Sequence, residues 1–419
     1  MQSAKSFHVD QADVAVRIAH ENVGRYMERE TGKFSILIGG DFCPHSTDGG
    51  ASRPRWGERI LEDFRRADYR IVNLEGPVTD AASGPFKYAP KLKLPESALT
   101  LLDEASVDLV TLANNHTMDY GRQGLIDTLE KLKRAGIRSV GAGMDLAEAA
   151  APQIVKTPDF DIAVLNFCET EWSHAQDDAP GTAPLDVIDN ALAIARMRRA
   201  ADFVVVIVHG GVECYEHPTP RMCRQYRFYA DMGASAVVAH HTHCPLGYEV
   251  YNGVPIFYSL GNLLFPSHTA FAPWYRGFLA KLTFGRGVPV EISLLPYRQC
   301  SGEPVVERLD GDEEKAFTEK LGSQCEIIAS EQMLNQCWSK FVSGDRRCYE
   351  LPTAVIPGGL IRRIISKFKL GRLFLTDRFV LLEHHSLQCA SYNDIYRSVF
   401  NAAYRKIVNH HEKHKQHPL

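Results

Sequence analysis

From residue 34 onward the chain alternates short, nearly uninterrupted apolar runs with longer stretches in which apolar residues recur at helical spacing. SILIGG (35–40), YRIVNLEG (69–76), VDLVTLANNH (107–116), IRSVGAG (137–143), DIAVLNF (161–167) and DFVVVIVHGG (202–211) are rich in β-branched residues and too short for helices. Runs of this kind read as strands buried on both faces of a layered sheet. Residues 57–67, 121–135 and 187–200 read as helices, with Gly136 placed to end the second. ASAVVAHH (234–241), VPIFYSLGN (254–262), FLAKLTF (278–284) and VEISLLP (290–296) continue the strand signal at closer spacing, and Asn252-Gly253 marks a turn between two of them. The order predicts an α/β chain, a mixed sheet sandwich with helices outside.

The two ends have a different texture. Residues 9–30 carry spaced apolar positions and mixed charge, which suits a leading helix, so residues 1–33 are expected to form a helical extension. A central domain is expected over 34–300 and a mainly helical accessory region over 301–419, with helix over 312–343 and a Pro/Gly break at 352–359. Residues 359–374 interleave Arg362, Arg363, Lys367, Lys369 and Arg372 with apolar positions. An amphipathic helix packed on its own domain is the simpler reading, and docking on an anionic membrane is the alternative. The tail histidines His410, His411, His414 and His417 read as part of a frayed polar end.

Composition narrows the class. The chain has 419 residues, 45% hydrophobic and 23% charged, which is ordinary for a globular protein. A net charge of −4 offers no bulk attraction for nucleic acid or an anionic membrane. The N-terminus lacks the apolar core of a signal peptide, and no apolar run approaches the roughly 18 residues of a membrane span. Ten scattered cysteines without a CxxC pair suit reduced thiols. The expectation is a cytoplasmic chain with no transmembrane anchor and no nucleic-acid partner. Neither a phosphate-cradling GxxxxGK[ST] loop nor a GxSxG nucleophile elbow is present.

Five short polar signatures each follow an apolar run: Gly40-Asp41, Asn73-Leu74-Glu75, Asn114-Asn115-His116, His209-Gly210-Gly211 and His241-Thr242-His243. The carboxyl ends of strands are where layered α/β proteins bind ligands. Carboxylates, an amide and imidazoles together suit a pair of borderline divalent metals such as Mn, Fe or Zn better than calcium.

In the order and spacing of GGDFCP, NLEGPVT, LANNHTMDYG, VHGGVECYEHPTP, GASAVVAHHTH and GVPIFYSLGN, residues 34–296 resemble the poly-γ-glutamate capsule biosynthesis (CapA-type) family, a branch of the calcineurin-like metallophosphatases. The resemblance implies a calcineurin-like β-sandwich flanked by helices and two divalent metal ions. It implies that Asp41 and His243 bind one metal, that Glu75 lies between the two, and that Asn115, His209 and His241 complete the second site. His116 would be the non-ligand histidine facing substrate. Asp119 would orient His116 or serve the following helix N-terminus.

The chain departs from the family pattern at three places. Cys43 stands where many metallophosphatases carry the histidine of Asp-x-His, and reads either as a thiolate ligand or as a buried, unreactive thiol. Ala239 and Thr242 replace a Gly and a Pro around the last motif, and Gly210 replaces a Trp, which opens the pocket. His240 reads as a solvent or sheet-face histidine. Glu213 and Arg221 are further candidates, for a substrate amine or oriented water and for an anion, against ordinary surface roles. The functional expectation is a dinuclear metallohydrolase acting on a phosphate ester or related anionic bond, small molecule or polymer. The alternatives are an accessory role, with partner proteins, in making, transferring or releasing a capsule-like polymer, and a metal-stabilised binding module.

Overall fold

The computed structural model describes residues 32–45, 54–85, 90–169 and 173–344, with Cys389, residues 393–395 and Ser398 beyond them. The expected helix at 9–30, the amphipathic stretch at 359–374 and the tail histidines lie outside the described residues.

In chain order the strands are β1 (Lys33–Phe42), β2 (Arg55–Trp56), β3 (Tyr69–Leu74), β4 (Leu109–Thr111), β5 (Arg138–Val140) and β6 (Ala142–Gly143). They continue with β7 (Gln153–Lys156), β8 (Asp161–Cys168), β9 (Gly181–Thr182), β10 (Phe203–His209), β11 (Ala236–His240) and β12 (Tyr248–Tyr251). The last are β13 (Val254–Phe257), β14 (Asn262–Leu264), β15 (Arg276–Gly285), β16 (Glu291–Gln299) and β17 (Val305–Arg308). The helices are α1 (Glu58–Arg66), α2 (Ser97–Glu104), α3 (Gly121–Arg134), α4 (Leu146–Ala149), α5 (Val187–Ala200), α6 (Pro220–Asp231), α7 (Gly311–Ala329) and α8 (Glu331–Gly344).

Two sheets stack. One runs β2-β17-β16-β15-β1-β3-β4-β5, with β14 beside the end of β1, and the other runs β12-β13-β11-β10-β8-β7. The alternation of side chains along a strand explains the layering. In β10, Val205 and Ile207 enter the interior between the sheets with Ile36, Ile38 and Ile71. The intervening Val204, Val206 and Val208 face outward onto Ile194 of α5 and Met222 and Tyr226 of α6. On the first sheet Leu37 faces outward onto Ile60 and Phe64 of α1 and Leu102 of α2. Each central strand therefore feeds two cores, which is why its sequence is continuously apolar. This is the helix-flanked sandwich that the sequence pattern and the family resemblance imply.

Local signals account for the boundaries. The Asp186 side chain accepts from Ile188 and Asp189 N–H at 2.9 and 3.0 Å to start α5. Thr219 caps α6, with Pro220 in its first turn. Asn252 and Gly253, at φ +50° and +81°, form the tight turn between β12 and β13. The run at 254–262 divides where a single strand is expected: β13 stays in the second sheet and β14 pairs with β1 in the first. The switch occurs at Gly261, whose φ of +78° no continuous strand adopts. Helix α6 gives little sequence signal, because its buried face is built from Met222, Cys223, Gln225, Tyr226 and Tyr229 rather than aliphatics. The expected helix over 312–343 is interrupted at Ser330 and becomes α7 and α8. Phe317 and Leu321 of α7 join the inter-sheet core, while Trp338 and Val342 of α8 pack with Val212, Tyr215 and Ile395.

The end of β1 meets the β13–β14 connection at a point of backbone-to-backbone approach. A Cβ on Gly40 would lie 1.8 Å from Gly261 O. Gly40→Ala is expected to cost about 3 kcal/mol, the upper end of what overpacking usually costs, because neither backbone can yield without moving β1. Urea unfolding of the variant against the parent chain measures it, and a loss below 1 kcal/mol, on the order of an ordinary surface change, contradicts this packing.

Candidate metal centre

Strands β1, β3, β4, β10 and β11 all deliver their carboxyl ends to one edge of the sandwich. In the first sheet β1 runs parallel to β3 and β3 to β4, with Asp41 opposite Asn73 and Asn73 opposite Thr111. In the second, β10 and β11 are parallel with His209 opposite His240. Asp41 is the next-to-last residue of its strand, Glu75 and Asn115-His116 follow theirs, and His241 and His243 lie in the turn after β11. The register of parallel strands thus gathers polar residues that are far apart in sequence.

Asp41 has no exposed surface. Asn73 Nδ2 donates to its Oδ1 at 2.7 Å, and the main-chain N–H of His241 donates to its Oδ2 at 3.2 Å. Glu75 is equally buried, and its Oε1 lies 3.9 Å from His116 Nε2 and 3.8 Å from His243 Nε2. Asp41, Glu75 and His243 each offer a ligand atom within 4.8 Å of the others. A second set adjoins them: His209 Nε2 is 3.0 Å from His241 Nδ1 and 3.1 Å from Asn115 Oδ1. His241 and His243 adopt φ of +95° and +56°, conformations that a residue with a Cβ seldom holds without a local reason.

His116 Nδ1 lies 2.7 Å from Asp119 Oδ2, and the same oxygen accepts from Leu92 N–H at 2.6 Å. Asp119 therefore engages His116 rather than capping α3, whose N-cap, Tyr120, makes no side-chain cap bond. The carboxylate leaves Nε2 as the imidazole nitrogen on the Glu75 side.

The remaining candidates fall outside these sets. Cys43 is buried with Sγ 3.6 Å from His45 Nδ1, and burial beside Glu75 pushes its thiol well above the ordinary range, so the unreactive reading fits better than a thiolate. Glu213 is exposed in the turn after β10. Arg221 lies in the first turn of α6 and not in a loop, and it is bound to the carboxylates of Glu169 and Asp394. Two expectations need correction. His240 does not face solvent: it is 1% exposed, neither ring nitrogen has a hydrogen-bond partner, and Nδ1 is 3.8 Å from Asp41 Oδ1. Gly210 opens no pocket, because the Glu169 side chain fills the space and a Cβ at 210 would lie 2.4 Å from its Cγ.

Sequence reasoning passed over the residues that orient the donors. Asn73 spans the two sets, with Nδ2 also 3.3 Å from His209 Nδ1. Asn262 Oδ1 is 3.0 Å from His243 Nδ1, and Trp274 packs against that ring at a tilt of 37° with centroids 4.6 Å apart. An amide on an otherwise apolar buried strand was the available signal for both.

The donor set fits divalent cations. Adjacent ligands on a cation with bonds near 2.1 Å stand ~3 Å apart, which is the spacing of the His209, His241 and Asn115 atoms. Two carboxylates and a third imidazole lie beside them, all shielded from water. Among the described residues no helix is long and apolar enough to cross a membrane.

Comparison with known proteins places this geometry in context. The model of the bacterial capsule synthesis protein family (PGA_cap) matches residues 35–267. The PGA biosynthesis protein CapA of Bacillus subtilis (strain 168) is 36% identical over 208 residues, 48% of this chain and 54% of that protein. The capsule biosynthesis protein CapA of Bacillus anthracis is 31% identical over 211 residues, 48% of this chain and 51% of that one. The chain thus spans about half the length of these curated relatives. Among solved structures, a novel phosphatase from Mycoplasma pneumoniae superposes with a TM-score of 0.40 at 13% identity, over 68% of this chain and 96% of that one. That likeness is too distant to bear on chemistry.

Burial holds His209 well below the ordinary imidazole value, with His241, His240, His243 and His116 adding to the effect, and burial lowers His240 against the opposing charge of Asp41. The unfolded chain takes up these protons near pH 6.5 and the folded chain does not. Stability of chelator-treated protein is therefore expected to be full above about pH 6.5 and to fall below it, by up to roughly 1.4 kcal/mol per pH unit per histidine. Urea titrations at pH 7.5 and 5.5 measure the slope. His209→Asn should flatten it, and an unchanged slope would refute the assignment.

Proposed function

The chain belongs to the bacterial capsule synthesis protein family, and we propose that it is a metal-dependent hydrolase of a phosphate ester or a related anionic bond. The observation that carries this reading is the meeting of two donor sets at one strand edge, beside an imidazole held by a carboxylate. Asp41 and His243 would hold one divalent cation, and Asn115, His209 and His241 the other, with Glu75 between them. When bound, such a pair supplies Lewis acidity toward an anionic oxygen and toward water.

The side chains of this protein supply the rest. Asn73 and the His241 main chain fix the Asp41 carboxylate, so its charge is oriented before any ligand arrives. Burial keeps His209 neutral, the form in which an imidazole nitrogen has a lone pair to give. Asp119 fixes the ring of His116 by accepting from Nδ1–H; in the doubly protonated imidazolium, which the carboxylate stabilises, the Nε2–H is then the proton that can pass to a departing oxygen, leaving the ring neutral. Free thiols at all nine described cysteines suit a reducing compartment, and a cytoplasmic setting is part of this reading.

A second reading is favoured by the B. subtilis relative, which is named for PGA biosynthesis. The same centre would then act on a polymer chain as an accessory to synthesis, transfer or release, together with partner proteins.

Purified protein reconstituted with Mn²⁺ is expected to hold about two metals per chain and to hydrolyse an aryl phosphate mono- or diester. His116→Ala should keep the metal and lower kcat about 10²–10⁴-fold. Metal analysis with steady-state kinetics decides between the readings. Full turnover in the variant rejects the role given to His116, and two metals without turnover moves the weight to the polymer pathway.

A further inference from the structure

Outside the donor sets, a sheltered ionic cluster is built around Arg221. Its Nη2 donates to Glu169 Oε1, its Nε to Asp394 Oδ2, and its Nη1 to Gln225 Oε1 at 3.1 Å. Glu169 is 2% exposed, and the Arg221 and Asp394 side chains are 25% and 17% exposed. Charges this sheltered persist only when paired and hydrogen-bonded, so the three side chains have little freedom to move independently. Each guanidinium nitrogen already donates to a partner, so the group is committed to this cluster.

Each end of this chain is anchored. At one end, Glu169 follows β8 directly; its N–H donates to His209 O at 2.9 Å, and its side chain packs against Gly210. A residue that touches the main chain on both sides of the 209–210 peptide controls where the His209 ring starts. At the other end, Asp394 O accepts from Ser398 Oγ at 2.7 Å, and that hydroxyl in turn accepts from Trp338 Nε1 of α8 at 3.0 Å. Ile395 packs with Trp338, Val342, Val212 and Tyr215, so the same segment also bears on the turn after β10. Residue 394 lies well beyond the family match, which ends at 267.

We propose that Glu169, Arg221 and Asp394 are positioning residues through which the docked C-terminal segment sets the main-chain position of His209, and with it the affinity of the centre for its second cation. This rests on the reading of the centre as a two-metal site. None of the three touches the reacting atoms. Their effect passes through the placement of one imidazole relative to His241 Nδ1 and Asn115 Oδ1, 3.0 and 3.1 Å from it. Residues that orient metal ligands in this way typically change metal affinity 10–100-fold.

The test titrates the chelated full-length protein with Mn²⁺ alone and follows bound metal by calorimetry, with the thermal midpoint of the metal-free protein measured in parallel. Asp394→Ala is expected to weaken the second binding event about tenfold, with Asp394→Asn recovering part of the loss. Glu169→Gln should weaken it comparably, and adding Asp394→Ala to Glu169→Gln should cost little more, because both interrupt one path. Arg221→Ala leaves two sheltered carboxylates facing each other and can fail to fold, so the Asp394 and Glu169 variants carry the test; where Arg221→Ala does fold, added guanidinium should restore Mn²⁺ affinity. A lowered thermal midpoint with unchanged Mn²⁺ affinity in the Asp394 and Glu169 variants makes the cluster a structural brace only and overturns the proposal, leaving the metal reading intact. A parent chain that takes up no Mn²⁺ overturns both.

Discussion

A carboxylate with no exposure to water, Asp41, is the constraint around which the centre is arranged. Removing a carboxylate from water costs several kcal/mol unless hydrogen bonds or a cation replace the lost hydration. Here one oxygen is held from the first sheet by Asn73 and the other from the second sheet's turn by the His241 main chain. The single side chain therefore ties together the two layers at the edge where their strands end. Gly40 and Gly261 meet just before it, and Asp41 N–H donates to Gly261 O at 3.1 Å, so even its backbone is fixed by the connection between β13 and β14.

The same demand explains the unusual backbone nearby. Aiming the His241 N–H at Asp41 while turning its ring toward His209 places the residue at φ +95°, and His243 follows at +56°. Strained conformations of this kind persist only when the surroundings over-determine them. Asn262 and Trp274 do so for His243, and Asn73 lies between Asp41 and His209. The donor atoms are consequently preorganised, which is what differential stabilisation of developing charge requires.

Around this rigid edge the layers divide their tasks. The inter-sheet core fixes the register, the outer helices cover the apolar faces, and α7 and α8 brace the second sheet and the turn after β10. Arg221 illustrates how the layers communicate: a residue at a helix start joins a strand end to a segment far along the chain. From sequence it reads as an ordinary surface arginine or, alternatively, an anion contact, whereas its pairing with Glu169 and Asp394 makes it part of the frame.

The linear pattern alone determined most of the strands, the flanking helices at 58–66, 121–134 and 187–200, and the position of each candidate donor at or just beyond the end of its strand. Continuous β-branched runs can be buried on both faces only in a layered sheet, and polar residues at their carboxyl ends have few other places to go. The tertiary structure decided what pattern cannot encode. It split residues 254–262 between two sheets at Gly261, buried His240, filled the space at Gly210 with Glu169, and engaged Arg221 with Asp394. It also brought Asn73 and Asn262 to the rings they orient. Each of these depends on which side chains meet across sheets or across long separations in the chain. Local propensity acts only between near neighbours, so such meetings are fixed only when the layers close.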